Sequence, residues 1–269
     1  MSTFSPVIKW SGSKRSQAQT ICSLAPTSFE RYYEPFVGGG SILYSLAPAS
    51  AVAGDICSPL IELWKCIKDH PEDLARRYDR DWHRLQNEGY EVFYEIRDLF
   101  NSTKDPSALL FLSRTCVNGL IRFNKNGDFN NSLHHTRPGI NPKRLEKILL
   151  DWSSHIQGTT FQSADYRETT ADASANDFVY LDPPYFNTRG RYFGGIDFDA
   201  FCEYLESLNS RRIRFALSFD GRRGNKEYSS PIPSDLYVRK QMIRSGNSAF
   251  KKVQDHTTEE VIESLYLNY

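Results

Sequence analysis

Residues 178–185 read FVYLDPPY. Four apolar or aromatic residues run into an acid, two prolines and a tyrosine. A run that is apolar on both faces of the pleat fits a strand buried in the middle of a parallel sheet. Asp182 then stands just past the carboxyl end of that strand, where open α/β sheets bind their ligands. Pro183 and Pro184 fix two φ angles and remove two N–H donors. Asp182 and the Pro183 carbonyl therefore form a rigid pair of acceptors, with the Tyr185 ring as a flat face beside them. Such a corner suits a planar group carrying an NH2, as adenine and cytosine do. The plainer alternative is a strand-ending turn with an aspartate cap and a core tyrosine.

Strand and helix alternate on either side of this stretch. RYYEPFV (31–37) reads as a short strand ending at Gly38-Gly39-Gly40, and SILYSLA after it reads as a helix. AVAGD (51–55) is a second strand, and TTFQSA, DFVYLD, IRFALSF and VIESLYLNY supply later ones. The alternation predicts an α/β sandwich with a mostly parallel sheet. Residues 58–101 carry Leu60, Leu63, Trp64 and Ile67 at helical spacings, with Pro71 as a helix start and Gly89 as an end. Helical character continues over 105–117. NGLIRFNKNGDFNNSLHHTRPG (118–139) is rich in Asn and Gly and reads as loops or a hairpin with an Asn-Gly turn. A helix near 142–150 follows. The strand-poor stretch from about 60 to 145 is where a second, mostly helical subdomain is expected as an insertion.

The 269 residues, 39 % hydrophobic and 25 % charged, suffice for one large domain or one domain with an insertion. Basic and acidic residues number 33 each, so net charge names no partner. Its distribution says more. Residues 62–105 carry a net −3, whereas 114–147 carry a net +5. A local basic region in a neutral chain suits a polyanion, or else is a solvated face. The five cysteines are scattered, without metal-ligand spacing, and predict reduced thiols and no metal. MSTFSPVIKW has no charged segment followed by an apolar one, so no secretory signal is expected. No apolar run approaches the ~20 residues of a membrane helix. A cytoplasmic protein without a membrane partner is expected.

Glycines 38–40 follow a strand and precede a helix, which allows a tight turn or close approach of a ligand to the main chain. GxGxxG is absent, which disfavours a nicotinamide-dependent oxidoreductase. Asp55 ends the next strand, where an acid accepts hydrogen bonds from a ribose, or caps the helix after it.

KWSGSK (9–14), EPFVGGGS (34–41), NGLIRFNKNGDFN (118–130), DPPY (182–185) and EEVIESLYLNY (259–269) stand in an order that resembles the DNA adenine-N6 methyltransferases of the Dam type, over nearly the whole chain. The resemblance implies a Rossmann-like S-adenosylmethionine-dependent methyltransferase sheet with helices on both faces, formed by 1–57 and 140–269. It implies an inserted, mostly helical DNA-recognition subdomain with a hairpin over 58–139. S-adenosylmethionine would be the cofactor and double-stranded DNA the partner. A monomer is expected; a cognate restriction endonuclease in the same system, a solitary housekeeping role and phage defence against restriction all fit.

By the same resemblance Trp10 and Lys14 would contact the cofactor, Lys14 through its carboxylate. Phe36, Gly38, Gly39 and Gly40 would line its pocket, Asp55 would bind its ribose, and Asp165 would lie near its adenine. Asp182, also counted with the cofactor set, would hold the target base with Pro183, Pro184 and Tyr185. Asn118, Arg122, Asn124, Lys125 and Arg137 would contact DNA. Arg122 is the expected base contact, and Lys125, Arg137, Lys143 and Arg144 the phosphate contacts. The implied reaction is direct methyl transfer to N6 of a flipped adenine, at GATC or a GAT-containing site. For that step Asp182 needs no strongly raised pKa. Ser13 stands where the family has a glycine, NSLHH replaces a Pro-Gly stretch, and IRFALSFDGR lacks a Ser-Asn pair. Rival readings are a cytosine-N4 or RNA adenine methyltransferase with the same corner, or a catalytically silent DNA-binding module.

Overall fold

The structure is a computed structural model that describes the chain except residues 1–3, 135, 137–138, 185–195, 224–225, 229–231 and 248–259, with backbone alone at some neighbouring strand positions. In chain order the first elements are α1 (Ala18–Ser23), β1 (Tyr32–Glu34), α2 (Ser41–Leu46), β2 (Ala51–Gly54), α3 (Ser58–Asp69) and α4 (Pro71–Glu88). Next come α5 (Glu91–Thr103), α6 (Pro106–Thr115), α7 (Pro142–His155), β3 (Thr159–Gln162), α8 (Tyr166–Thr169) and β4 (Phe178–Leu181). The last are α9 (Phe198–Ser210), β5 (Arg214–Arg223), β6 (Lys226–Tyr228), β7 (Arg239–Asn247) and β8 (Glu260–Leu267). They fall into two compact units, one of Met1–Ser13, Gly38–Ala47 and Cys57–Ser163, the other of Lys14–Val37, Pro48–Ile56 and Ala164–Tyr269.

The first unit is mostly helical and contains the whole of 58–139. α3 buries Leu60, Ile61, Leu63, Trp64 and Ile67, the spacing expected of one helix face. Trp64 and Trp152 of α7 are fully buried with ring centroids 5.0 Å apart. α4 starts at Pro71 and ends before Gly89, whose φ is 102°. Asp105 caps α6 by accepting from the N–H groups of Ser107 and Ala108.

The second unit holds strands in the order β2-β1-β4-β5-β8-β7, with β6 beside β5. β2, β1, β4 and β5 run parallel. β8 is antiparallel to both β5 and β7. The sheet is therefore mixed rather than mostly parallel: the parallel strands β2, β1, β4 and β5 are extended by the antiparallel β8 and β7. β4 sits between β1 and β5 with all four residues buried, as FVYL requires. Val179 and Leu181 join Phe215, Leu217 and Phe219 in one core cluster. Phe178 and Tyr180, on the opposite pleat, are equally buried. Among the described residues no helix is long and apolar enough to cross a membrane.

β2 ends in a glycine because α8 packs on it. A Cβ at Gly54 would lie 2.3 Å from Thr169 Oγ1 and 2.7 Å from its methyl group. Gly54→Ala is expected to lower unfolding stability by about 1–3 kcal/mol, the usual cost of overpacking. Adding Thr169→Ala should recover part of that loss in urea melts. An additive double mutant would remove the steric explanation.

Candidate active site

Three sequence-predicted residues follow the carboxyl ends of adjacent parallel strands: Phe36 after β1, Asp55 after β2 and Asp182 after β4. The Val37 amide donates to the Gly54 carbonyl at 2.9 Å and ties the first two strand ends together. The Phe36 ring stacks on Tyr166 with centroids 5.5 Å apart. Asp165 caps α8, its carboxylate accepting from the Arg167 amide at 2.9 Å.

Asp182 is held in an ion-paired cluster. Its Oδ1 lies 2.8 Å from Lys14 Nζ, and Glu263 Oε2 of β8 approaches the same ammonium to 3.3 Å. The Lys14 side chain is 6 % exposed and that of Asp182 22 %, so the pair is enclosed yet the carboxylate can be reached. Burial pushes the Asp182 carboxyl up from 3.8 to about 6, against the opposing pull of Lys14, with Glu263 adding to the rise. The step calls for no strongly raised pKa, and the rise comes from burial. A sequence shows the charge but not how far water is excluded from it. Beneath Asp182, the hydroxyls of Tyr180 and Ser218 share a hydrogen bond of 2.7 Å between β4 and β5. Pro183 is buried and Pro184 partly so. Tyr185 lies outside the described residues.

In the helical unit the glycine turn has the geometry its sequence permits. Gly38 and Gly40 adopt φ of 42° and 64°, which disfavour any side chain. The Trp10 indole lies against the turn: a Cβ on Gly38 would come within 2.7 Å of two ring atoms. Trp64 Nε1 donates to the Gly38 carbonyl at 3.0 Å. Ser13, which replaces a family glycine, bonds through its hydroxyl to Ser41 at 2.9 Å.

The same unit carries the hairpin. Phe123 pairs with Phe129 across it, and both rings meet Phe100 of α5. Asn101 holds Phe129 by both backbone groups, at 2.7 and 3.2 Å. At the tip, Asn124 Oδ1 accepts from the amides of Asn126 and Asp128, and Gly127 takes φ 78°, as a three-residue hairpin loop demands. The Asn124 side chain thus builds the turn. Arg122, Lys125 and Asn118 are exposed, Asn118 with φ 58°. Next to Asn118, Gly119 leaves room for the Lys9 stem, which a Cβ there would strike at 2.5 Å. Lys143 and Arg144 are exposed in the first turn of α7. Arg137 lies outside the described residues.

Glu263, Tyr180 and Ser218 had no role in the sequence reading. Glu263 carried a signal, being an acid inside the apolar run VIESLYL. Tyr180 and Ser218 carried none, because their contact depends on strand order.

The sequence profile of the D12 class N6 adenine-specific DNA methyltransferases matches residues 10–245. A type II methyltransferase of Lactococcus lactis subsp. cremoris is 31 % identical, over 98 % of this chain and 95 % of that protein. The DNA adenine methylase of Salmonella typhi is 30 % identical, over 92 % of each chain. That of Vibrio cholerae serotype O1 is 33 % identical, over 66 % of this chain and 64 % of the relative. A profile spanning most of the chain, together with relatives that align along nearly all of it, makes this protein a member of the D12 class N6 adenine-specific DNA methyltransferase family.

Proposed function

We propose that the chain transfers a methyl group from S-adenosylmethionine to N6 of adenine in double-stranded DNA. The observation that carries this reading is Asp182, an enclosed carboxylate at the end of a central strand, paired with Lys14 and followed by two prolines. The N6 lone pair is delocalised into the adenine ring and is a poor nucleophile. Asp182 and the Pro183 carbonyl would accept its two hydrogens, favouring a pyramidal nitrogen and stabilising the positive charge that develops there. S-adenosylmethionine, when bound, supplies an electrophilic methyl group on a positively charged sulfur that leaves as a neutral thioether. N6 then sheds one proton to Asp182, whose pKa of about 6 makes it a better acceptor than an ordinary aspartate and still returns the proton to water at neutral pH.

The residues present fit the cofactor. Asp55, past β2, suits the ribose hydroxyls. Gly38, Gly39 and Gly40 give a turn bare of side chains beside Trp10. Phe36, Asp165 and Lys14 are proposed as further cofactor contacts. The target base must leave the duplex stack, and Tyr185 would receive it by stacking, a contact worth about 1–3 kcal/mol.

Residues 58–139 would read DNA, and 1–57 with 140–269 would carry the chemistry. Arg122 would pair with a guanine edge, Asn118 would contact the duplex beside it, and Lys125 and Arg137 would bind phosphates on a turn shaped by Asn124. GATC or a GAT-containing site is the proposed target. A relative named as a type II methyltransferase supports a cognate restriction endonuclease as partner. A monomeric enzyme is proposed.

Tritiated methyl transfer to unmethylated plasmid DNA, followed by nucleoside analysis and single-molecule sequencing, should find N6-methyladenine in one short motif. N4-methylcytosine, or label in RNA alone, would contradict the reading. Asp182→Ala should lower turnover by about 10²–10³-fold or more, with cofactor binding changed only a few fold. Lys14 keeps Glu263 as a partner in that variant, so folding should survive. Near-wild-type turnover would remove Asp182 from the chemistry.

Only the ionised carboxylate accepts both an N–H bond and a proton. Because the Asp182 pKa is raised, the active form is lost as pH falls through about 6 rather than through the ordinary aspartate range. Single-turnover rates should therefore decline below about pH 6, and a flat profile down to about pH 4.5 would disagree. Arg122→Ala should relax discrimination at one base pair by about 1–3 kcal/mol, whereas Lys125→Ala should weaken all sequences alike. Equal loss on every sequence for Arg122→Ala would count against base readout.

A further inference from the structure

Lys14 is shared between two carboxylates. Asp182 takes it at 2.8 Å and Glu263 at 3.3 Å. Glu263 is an inward acid on a strand whose next residues, Ser264, Leu265, Tyr266 and Leu267, are buried. Its Oε2 is buried and has ion-pair proximity to Lys14 without the alignment of a hydrogen bond. Burying a second carboxylate beside an already paired aspartate is unfavourable, and an apolar residue would cost less there. Glu263 therefore calls for an electrostatic reason.

The charge of the cluster supplies one. Asp182 and Lys14 alone cancel, and a neutral pair attracts a cation only weakly and over short range. With Glu263 the three groups carry one excess negative charge. In the proposed reaction a positive charge passes from the methyl donor's sulfur to the amine. The C–S bond breaks with its electron pair left on sulfur, the N6 lone pair forms the new N–C bond, and N6 releases one proton. We propose that Glu263 is a positioning residue for methyl transfer: it shares the Lys14 ammonium that Asp182 holds and leaves the cluster with the net negative charge that favours a cationic donor. This rests on the reading of Asp182 as the amine acceptor.

The test compares two ligands that differ in that charge. Calorimetric affinities for S-adenosylmethionine and for its neutral thioether product, S-adenosylhomocysteine, are measured on wild type, Glu263→Gln and Glu263→Leu. Both variants leave the Lys14–Asp182 pair in place, and thermal melts establish their folding. The sulfonium ligand should bind about three- to tenfold more weakly in the variants while the thioether is unchanged, as expected for loss of one nearby charge. Equal changes for both ligands, or none, in whichever variant folds would overturn the inference. Methyl transfer by Asp182→Ala is assayed alongside. Activity there would mean that the reading of Asp182 has failed. An inactive Asp182→Ala with an unchanged ligand ratio in the Glu263 variants would mean that the role of Glu263 alone has failed.

Discussion

The ion pair between Lys14 and Asp182 is the constraint on which the site depends. A carboxylate at the end of a buried strand loses much of its hydration, and left alone it would protonate and cease to be an acceptor. Lys14 opposes that loss without cancelling it, which leaves Asp182 with a pKa of about 6. The result is an acid that is ionised at neutral pH, fixed in direction and more basic than an exposed aspartate. Each property follows from a different part of the sheet unit. β4 between β1 and β5 provides the burial, the two prolines stiffen the chain beyond it, and β8 brings a second carboxylate to the same lysine.

The helical unit answers a different requirement. An exposed hairpin that carries cations has little core of its own. Here Phe123 and Phe129 anchor on Phe100, and Asn101 clamps the returning strand through its backbone. The exposed Arg122 and Lys125 then sit on a stiff base, which lowers the entropy lost when such side chains engage a ligand. The Asn-rich composition of this stretch has a local cause: Asn124 and Asn131 spend their amides on closing the turn and the loop before it.

Much of this was legible in the residues. FVYL, apolar on both faces of the pleat, fitted a buried central strand and so located β4 and Asp182. Pro71 and Gly89 bounded α4 because one lacks a helical N–H and the other tolerates a left-handed φ. The glycine run could be read as a turn but not as a ring contact, since Trp10 reaches it from far away in the sequence. β7 was not visible because RKQMIRSGN has no apolar alternation; it closes the sheet path, where charge protects an exposed edge. α9 shows Phe201, Leu205 and Leu208 at helical spacing, yet the reading passed directly from β4 to β5. The Glu263–Lys14–Asp182 cluster escaped for a stronger reason. It joins residues at opposite ends of the chain, and only the strand order brings them together.

The most direct measurement of the central claim is the titration of the Asp182 carboxyl itself, followed by carbon-13 NMR on aspartate-labelled protein, in wild type and in Lys14→Met. Burial opposed by a lysine predicts an apparent pKa near 6 in wild type and a higher one once the ammonium is gone. An Asp182 that titrates in the ordinary range near 4 in both proteins would contradict the account.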